Sequence, residues 1–176
     1  LGAILTQNTS WKNVEKALLE LSKKNLIDIN KLNKINTKEL AETIKSSGYH
    51  NQKARKIKEF IKFLESKSEI NRENLLDIWG IGPETADSIL LYAYGQPSFV
   101  IDAYTKRIFS RLGFGALSYH DLQQLFMEHL PHDVELFQEY HALLVALGKE
   151  FCTKNNPRCS GCPLLKQCAH GGKSIP

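Results

Sequence analysis

Apolar residues recur along this chain at the spacing of a helix face. Val14, Ala17, Leu18 and Leu21 form one stripe, and Ala54, Ile57, Ile61 and Leu64 form another. Ala86, Ile89, Leu90 and Ala93 make a third, followed by Phe137, Tyr140, Leu144 and Leu147. Local signals place helix starts between them. Asn36 can cap a helix, Glu39 can reach back to it, and Ile35 can pack against Leu40. Asp133 precedes the helix that runs toward Cys152. Period-two alternation is nearly absent, and Ser98-Phe99-Val100-Ile101 reads as an extended connection. Beyond Cys152, Pro, Gly and Cys punctuate a loop-rich tail. The pattern predicts an all-α body followed by a compact, metal-organised segment.

Length and composition narrow the classes. The 176 residues suffice for one substantial core, or for two small helical lobes sharing one. No apolar run is long enough to span a bilayer, and no secretory signal is visible, so a cytoplasmic, nucleoid-associated location is expected. The chain starts at Leu1 in mid-pattern, without an initiator Met, which suggests further N-terminal residues. A net charge of +4 and a pI of about 8.8 suit a polyanionic partner but equally suit a solvated surface.

The four cysteines fall together at the end, as Cys152-x6-Cys159-x2-Cys162-x5-Cys168. Disulfides stapling a small secreted fold are normally spread more widely, so clustering favours a metal site in a reducing compartment. Zinc fingers usually pair two short knuckles across a longer span, whereas here one knuckle is flanked by two longer arms. Thiolates as such suit zinc and iron–sulfur alike.

Leu76-Asp77-Ile78-Trp79-Gly80-Ile81-Gly82-Pro83-Glu84-Thr85-Ala86 reads as helix, tight turn, helix. Gly80 and Gly82 allow backbone angles and close approach that a side chain would block. Amides at the start of the second helix make a site for a phosphate. Further on, Val100-Ile101-Asp102-Ala103-Tyr104 puts an Asp at the mouth of the next helix, where it would also serve as an N-cap.

Together the cysteine spacing, with Leu147-Gly148-Lys149 and Pro157-Arg158 around it, the hairpin and Asp102 resemble the endonuclease III family of helix-hairpin-helix DNA glycosylases. The resemblance runs from Leu1 to about Cys168. It implies a two-lobed all-α fold: residues 1–112 a six-helix-barrel-type domain with the hairpin, and 113–176 a helical iron–sulfur domain. Between the lobes a DNA groove would hold Asp102. It implies a [4Fe–4S] cluster on Cys152, Cys159, Cys162 and Cys168. Lys154 and Arg158 lie in the loop between the first two ligands, as phosphate contacts or as solvated charges. Leu5-Thr6-Gln7-Asn8-Thr9 looks like the family motif whose Gln fills the hole left by an extruded nucleotide, a role for Gln7. In Gly48-Tyr49-His50-Asn51-Gln52-Lys53-Ala54, Tyr49 would wedge against the opposite strand. The alternative is that Tyr49 and His50 pack on the core. Gly80, Gly82 and Thr85 would meet the DNA backbone.

Bifunctional members carry a lysine two residues after the second hairpin glycine; Glu84 stands there in this chain. A carboxylate cannot form the imine of a lyase reaction, so a monofunctional enzyme is expected. The Gln-Asn-Thr segment and the hairpin with Glu84 and Ala86-Asp87 look most like the 3-methyladenine glycosylase branch. There Trp11 would stack on a cationic alkylated purine, with Glu84 beside the base; the plain alternative for Trp11 is a core residue. Bacterial members of that branch often lack the cluster, whereas this chain has all four cysteines. Archaeal uracil glycosylases are the competing resemblance. A non-catalytic DNA-binding module is the reading from another class, and Asp102 argues against it. The expected partner is double-stranded DNA carrying a damaged base, bound by a monomer, with no membrane.

Overall fold

The computed structural model describes residues 1–172; the last four residues of the 113–176 segment lie outside the described residues. Among the described residues all regular structure is helical, in agreement with the periodicity. The helices are α1 (Gly2–Leu5), α2 (Trp11–Lys23), α3 (Ile29–Lys34), α4 (Thr37–Thr43), α5 (His50–Glu65) and α6 (Arg72–Leu76). They continue with α7 (Pro83–Ala93), α8 (Ala103–Phe109), α9 (Tyr119–His129) and α10 (Val134–Glu150). No described helix is long and apolar enough to cross a membrane.

By packing, the chain divides into two compact units, Leu1–Ala86 and the part from Asp87 onward. The division falls inside α7, whereas the sequence reading placed a boundary at residue 112.

In the first unit α5 packs against α1, α3 and α4. The stripes supply its core: Val14, Ala17, Leu21, Ala54, Ile57 and Ile61 are all buried. Capping follows the local signals. The Asn36 side chain accepts from the Glu39 N–H at 2.8 Å, and its own amide reaches the Glu39 carboxylate at 3.4 Å. The end of α3 is closed by a residue distant in sequence. Lys58 Nζ donates to the carbonyls of Leu32 (2.6 Å), Asn33 (2.7 Å) and Ile35, placing a cation where a helix leaves its carbonyls unpaired.

The second unit closes around aromatic rings. Phe99 stacks on Phe126 with ring centroids 3.8 Å apart and meets Phe137 edge-on at 5.2 Å. Each buried ring contributes about 2–3 kcal/mol by removal from water. Phe99 belongs to the extended connection between α7 and α8, which forms no strand. Gln123 donates to the Phe99 carbonyl at 2.8 Å, and buried Asp87 accepts from Ser98 (2.6 Å) and Tyr119 (2.7 Å). These bonds hold the segment that delivers Asp102. Ala93, counted in the third apolar stripe, is exposed at the end of α7.

Gly148 lets α10 approach α8. A Cβ there would lie 2.9 Å from the Cβ and Cγ of Tyr104, and the Gly148 carbonyl accepts from Arg107 at 3.1 Å. Gly148→Ala is therefore expected to destabilise the fold by about 1–3 kcal/mol through overpacking. Denaturant unfolding checks it: an unchanged midpoint would show that Tyr104 moves aside freely.

Candidate functional site

The hairpin forms as expected. After α6 the chain turns, with the Ile81 N–H donating to Ile78 (3.0 Å), and α7 opens on Pro83, a residue suited to a first helical position. Gly80 sits at φ +84°, and a Cβ there would fall 2.6 Å from the Lys56 side chain. The turn thus lies directly on the Lys56 stem. Gly82 differs from the expectation: its φ is ordinary and nothing stands within 4 Å of a Cβ placed there. Neither backbone angle nor a neighbour inside the protein requires glycine at 82. Beside the turn, Trp79 is half exposed, with the Arg55 guanidinium 4.0 Å from the ring centroid.

Gln7 is fastened to this hairpin. Its amide donates to the Thr85 hydroxyl (2.8 Å) and the Gly80 carbonyl (3.2 Å), and its oxygen accepts from Lys56 Nζ (2.5 Å). Thr85, expected at the DNA backbone, is only 6% exposed. It reaches this surface through Gln7 rather than directly. Burial lowers the Lys56 pKa from its ordinary value.

One buried cation, which the sequence reading passed over, joins the two loops of this unit. Lys53 is 1% exposed and donates from Nζ to the carbonyls of Leu5 (2.8 Å) and Ser47 (2.6 Å). Those carbonyls flank Gln7 on one side and Gly48-Tyr49 on the other. Burial, and then the charge of nearby Lys56, brings the Lys53 pKa down to about 8. A signal existed, since Lys53 precedes Ile57 by one helical turn on the inward face of α5.

Tyr49 is 66% exposed and takes a left-handed backbone, φ +46°, at the start of α5. The alternative that it packs on the core is excluded, while His50 is half-buried. A non-glycine residue held there costs on the order of 1 kcal/mol, and such strain concentrates at functional positions. Trp11 is not core either: it is 50% exposed, with its indole lying over Gly2. Glu84 is exposed on the first turn of α7.

Asp102 caps α8. Its Oδ1 accepts from the N–H (2.7 Å) and hydroxyl (2.8 Å) of Thr105, which fixes the carboxylate plane. Its side chain is 13% exposed, and Oδ2 faces His141 Nε2 at 3.8 Å, too long for a hydrogen bond. Burial alone would push the carboxyl pKa up. His141 and the two Thr105 donors more than offset this and hold it below the ordinary carboxylate value. The group is therefore an anion at neutral pH, with one oxygen tied down.

All four cysteines line one cavity with Phe151, Pro157 and Leu165. Arg111, on the π-turn Ser110–Phe114, donates to Cys152 Sγ at 3.2 Å and to the Thr153 carbonyl at 2.8 Å. The Gly171 N–H points to Cys168 Sγ at 3.4 Å, and a Cβ at Gly171 would lie 3.7 Å from Cys159 Sγ. Donors aimed at sulfur suit thiolates, and the bare glycine leaves room beside them. Among the described residues no three side chains converge closely enough to hold a single metal ion. Lys154 and Arg158 are both exposed on this loop.

Residues 1–132 match the HhH-GPD superfamily base excision DNA repair protein family. A candidate DNA repair glycosylase of Methanocaldococcus jannaschii is 43% identical over 96% of this chain and 83% of its own length. An endonuclease III in a non-covalent complex with DNA superposes with a TM-score of 0.87 at 26% identity, over 98% of this chain and 82% of that one. The Helicobacter pylori 3-methyladenine DNA glycosylase bound to 1,N6-ethenoadenine does so at 0.78 and 30% identity, over 84% and 82%. With the hairpin, the capped aspartate and the C-terminal cysteines in place, the chain belongs to the HhH-GPD superfamily and is an endonuclease III-like DNA glycosylase of base excision repair.

Proposed function

We propose that the protein is a monofunctional glycosylase that extrudes a damaged base from duplex DNA and hydrolyses its N-glycosidic bond, with an alkylated purine such as 3-methyladenine as substrate. The observation that carries the chemistry is Asp102: a largely buried anion with Oδ1 bound to Thr105 and Oδ2, free of a hydrogen bond, facing His141 at 3.8 Å. Cleaving the bond develops positive charge on the sugar, which a fixed carboxylate stabilises while it orients water. Glu84 occupies the position of the lyase lysine and cannot form an imine. The purine reading is supported by the exposed indole of Trp11, whose electron-rich face attracts a cationic ring, and by the likeness to the 3-methyladenine enzyme.

DNA contacts follow from the same surfaces. The hairpin around Gly80 and Gly82 would take a backbone phosphate on the amides opening α7, and the empty space over Gly82 is what such an approach needs. Tyr49 would wedge against the opposite strand, Gln7 would fill the hole left by the extruded nucleotide, and Arg158 would meet phosphate. Cys152, Cys159, Cys162 and Cys168 would hold a [4Fe–4S] cluster. The four thiols line one cavity, a soft donor set that suits such a cluster. When bound, the cluster supplies a rigid, thiolate-anchored support for the basic loop.

Single-turnover base release from matched duplexes carrying uracil or 3-methyladenine tests this reading, with borohydride trapping alongside. The expected result is preferential release of the alkylated purine and no trapped adduct. Preferential uracil release would move the protein to the uracil branch with Asp102 unchanged in role. A trapped adduct would overturn the monofunctional assignment.

A further inference from the structure

His141 lies on α10, one turn from the buried Phe137 and Leu144. Its Nδ1 lies 2.7 Å from the hydroxyl of Tyr92 on α7. Its Nε2 is fully buried, has no hydrogen-bond partner, and faces Asp102 Oδ2 at 3.8 Å. Burying a polar nitrogen without a partner is costly, so an orphan aimed at a carboxylate calls for a reason.

We propose that Tyr92, His141 and Asp102 form a polar relay in which His141 is a positioning residue, holding a proton on Nε2 toward the carboxylate of Asp102. The inference rests on Asp102 as the carboxylate of base release. The tautomer follows from electrostatics. If the Tyr92 hydroxyl donates to Nδ1, the neutral ring carries its proton on Nε2, and an N–H dipole points at the anion. The opposite tautomer would aim a nitrogen lone pair at a carboxylate inside a poorly screened pocket. Tyr92 is suited to donate, because burial and then the Asp102 charge push its phenol pKa up. The titratable groups facing the ring are Tyr92 from α7 and Asp102 at the start of α8. A neutral donor at this distance favours the ionised carboxylate and fixes its direction, yet does not cancel the charge that base release uses.

The test compares His141→Leu, His141→Gln and Asp102→Asn in cluster-loaded protein. Single-turnover release from the uracil and 3-methyladenine duplexes is followed from acid to neutral pH, with DNA affinity measured alongside. His141→Leu is expected to keep DNA affinity, lose about tenfold in rate and shift its acid limb toward neutrality, because Asp102 loses a group that lowers its pKa. His141→Gln, whose amide can place an N–H where Nε2 stood, is expected to restore most of the rate and return the limb. In the unmodified protein, 15N chemical shifts of the His141 ring are expected to show the Nε2–H tautomer, a readout independent of activity and of variant folding. A wild-type rate and limb in His141→Leu, with Asp102→Asn inactive, would overturn the relay alone, as would the Nδ1–H tautomer. Full activity in Asp102→Asn would instead remove the premise, and the relay with it.

Discussion

Asp102→Asn is expected to lower single-turnover base release by about 10²–10⁴-fold while leaving fold and DNA affinity close to those of the parent. The separation is possible because the observed cap uses Oδ1 alone, while the proposed chemistry needs the carboxylate charge. Oδ1 caps α8 through Thr105, and an asparagine carbonyl can accept those same two bonds. The negative charge is what the substitution removes. Asp102→Ala deletes the cap as well and should cost about 1 kcal/mol of stability besides the activity. Stability against pH separates the roles again. The folded-state carboxyl pKa lies below its unfolded value, so its contribution is present above the unfolded value and is lost as pH falls through the folded one. That share of acid sensitivity should vanish in Asp102→Asn. Equal base release by the two proteins would remove the carboxylate from the chemistry.

Lys53→Met is expected to give the larger structural loss, about 2–4 kcal/mol by denaturant unfolding, because it leaves the buried carbonyls of Leu5 and Ser47 without donors. Methionine matches the length of the stem, so the cost reports the lost bonds more than a cavity. Both loops that lysine ties are proposed DNA contacts, and affinity for lesion duplex should fall with stability. The pH dependence has the same sign as that of Asp102 but falls in an alkaline window. The Lys53 pKa is depressed to about 8, so the penalty for burying its charge is complete below that value. It is relieved as pH rises toward the ordinary lysine value of about 10.4, where the neutral amine still offers two hydrogens to two carbonyls. In the parent this group therefore adds stability between those limits, and in Lys53→Met the rise should be absent. An unchanged midpoint in the variant would show that water replaces the ammonium at no cost.

The two predictions differ in how far each residue could be read in advance. Asp102 announced itself as a cap after a short extended run, and the hairpin and cysteine spacing upstream and downstream gave it a chemical setting. Lys53 stood in the same quoted segment as Tyr49, yet a lysine in a helix stripe is ordinarily taken as solvated. Thr85 and Gln7 were both singled out for DNA, but their bond to each other, across 78 positions, was invisible. Trp11 and Tyr49 were each given a plain alternative as packed residues, and exposure decided against it in both cases.

Local physics accounts for what could be read from the residues alone. Helical periodicity, the Asn36, Asp102 and Asp133 caps, the tight turn at Gly80 and the clustering of four cysteines all depend on neighbours within a few positions. Such rules act on the chain before it folds, so they are written along it. The tertiary structure alone decided which side chains share a partner: Lys53 with the distant Leu5 carbonyl, Lys56 with Gln7, Tyr92 with His141 across 49 positions, and Gly148 beneath Tyr104. Each of these pairings exists only because packing brings separate helices to one place. The energy of a buried polar group is set by what packing leaves beside it, not by its own identity.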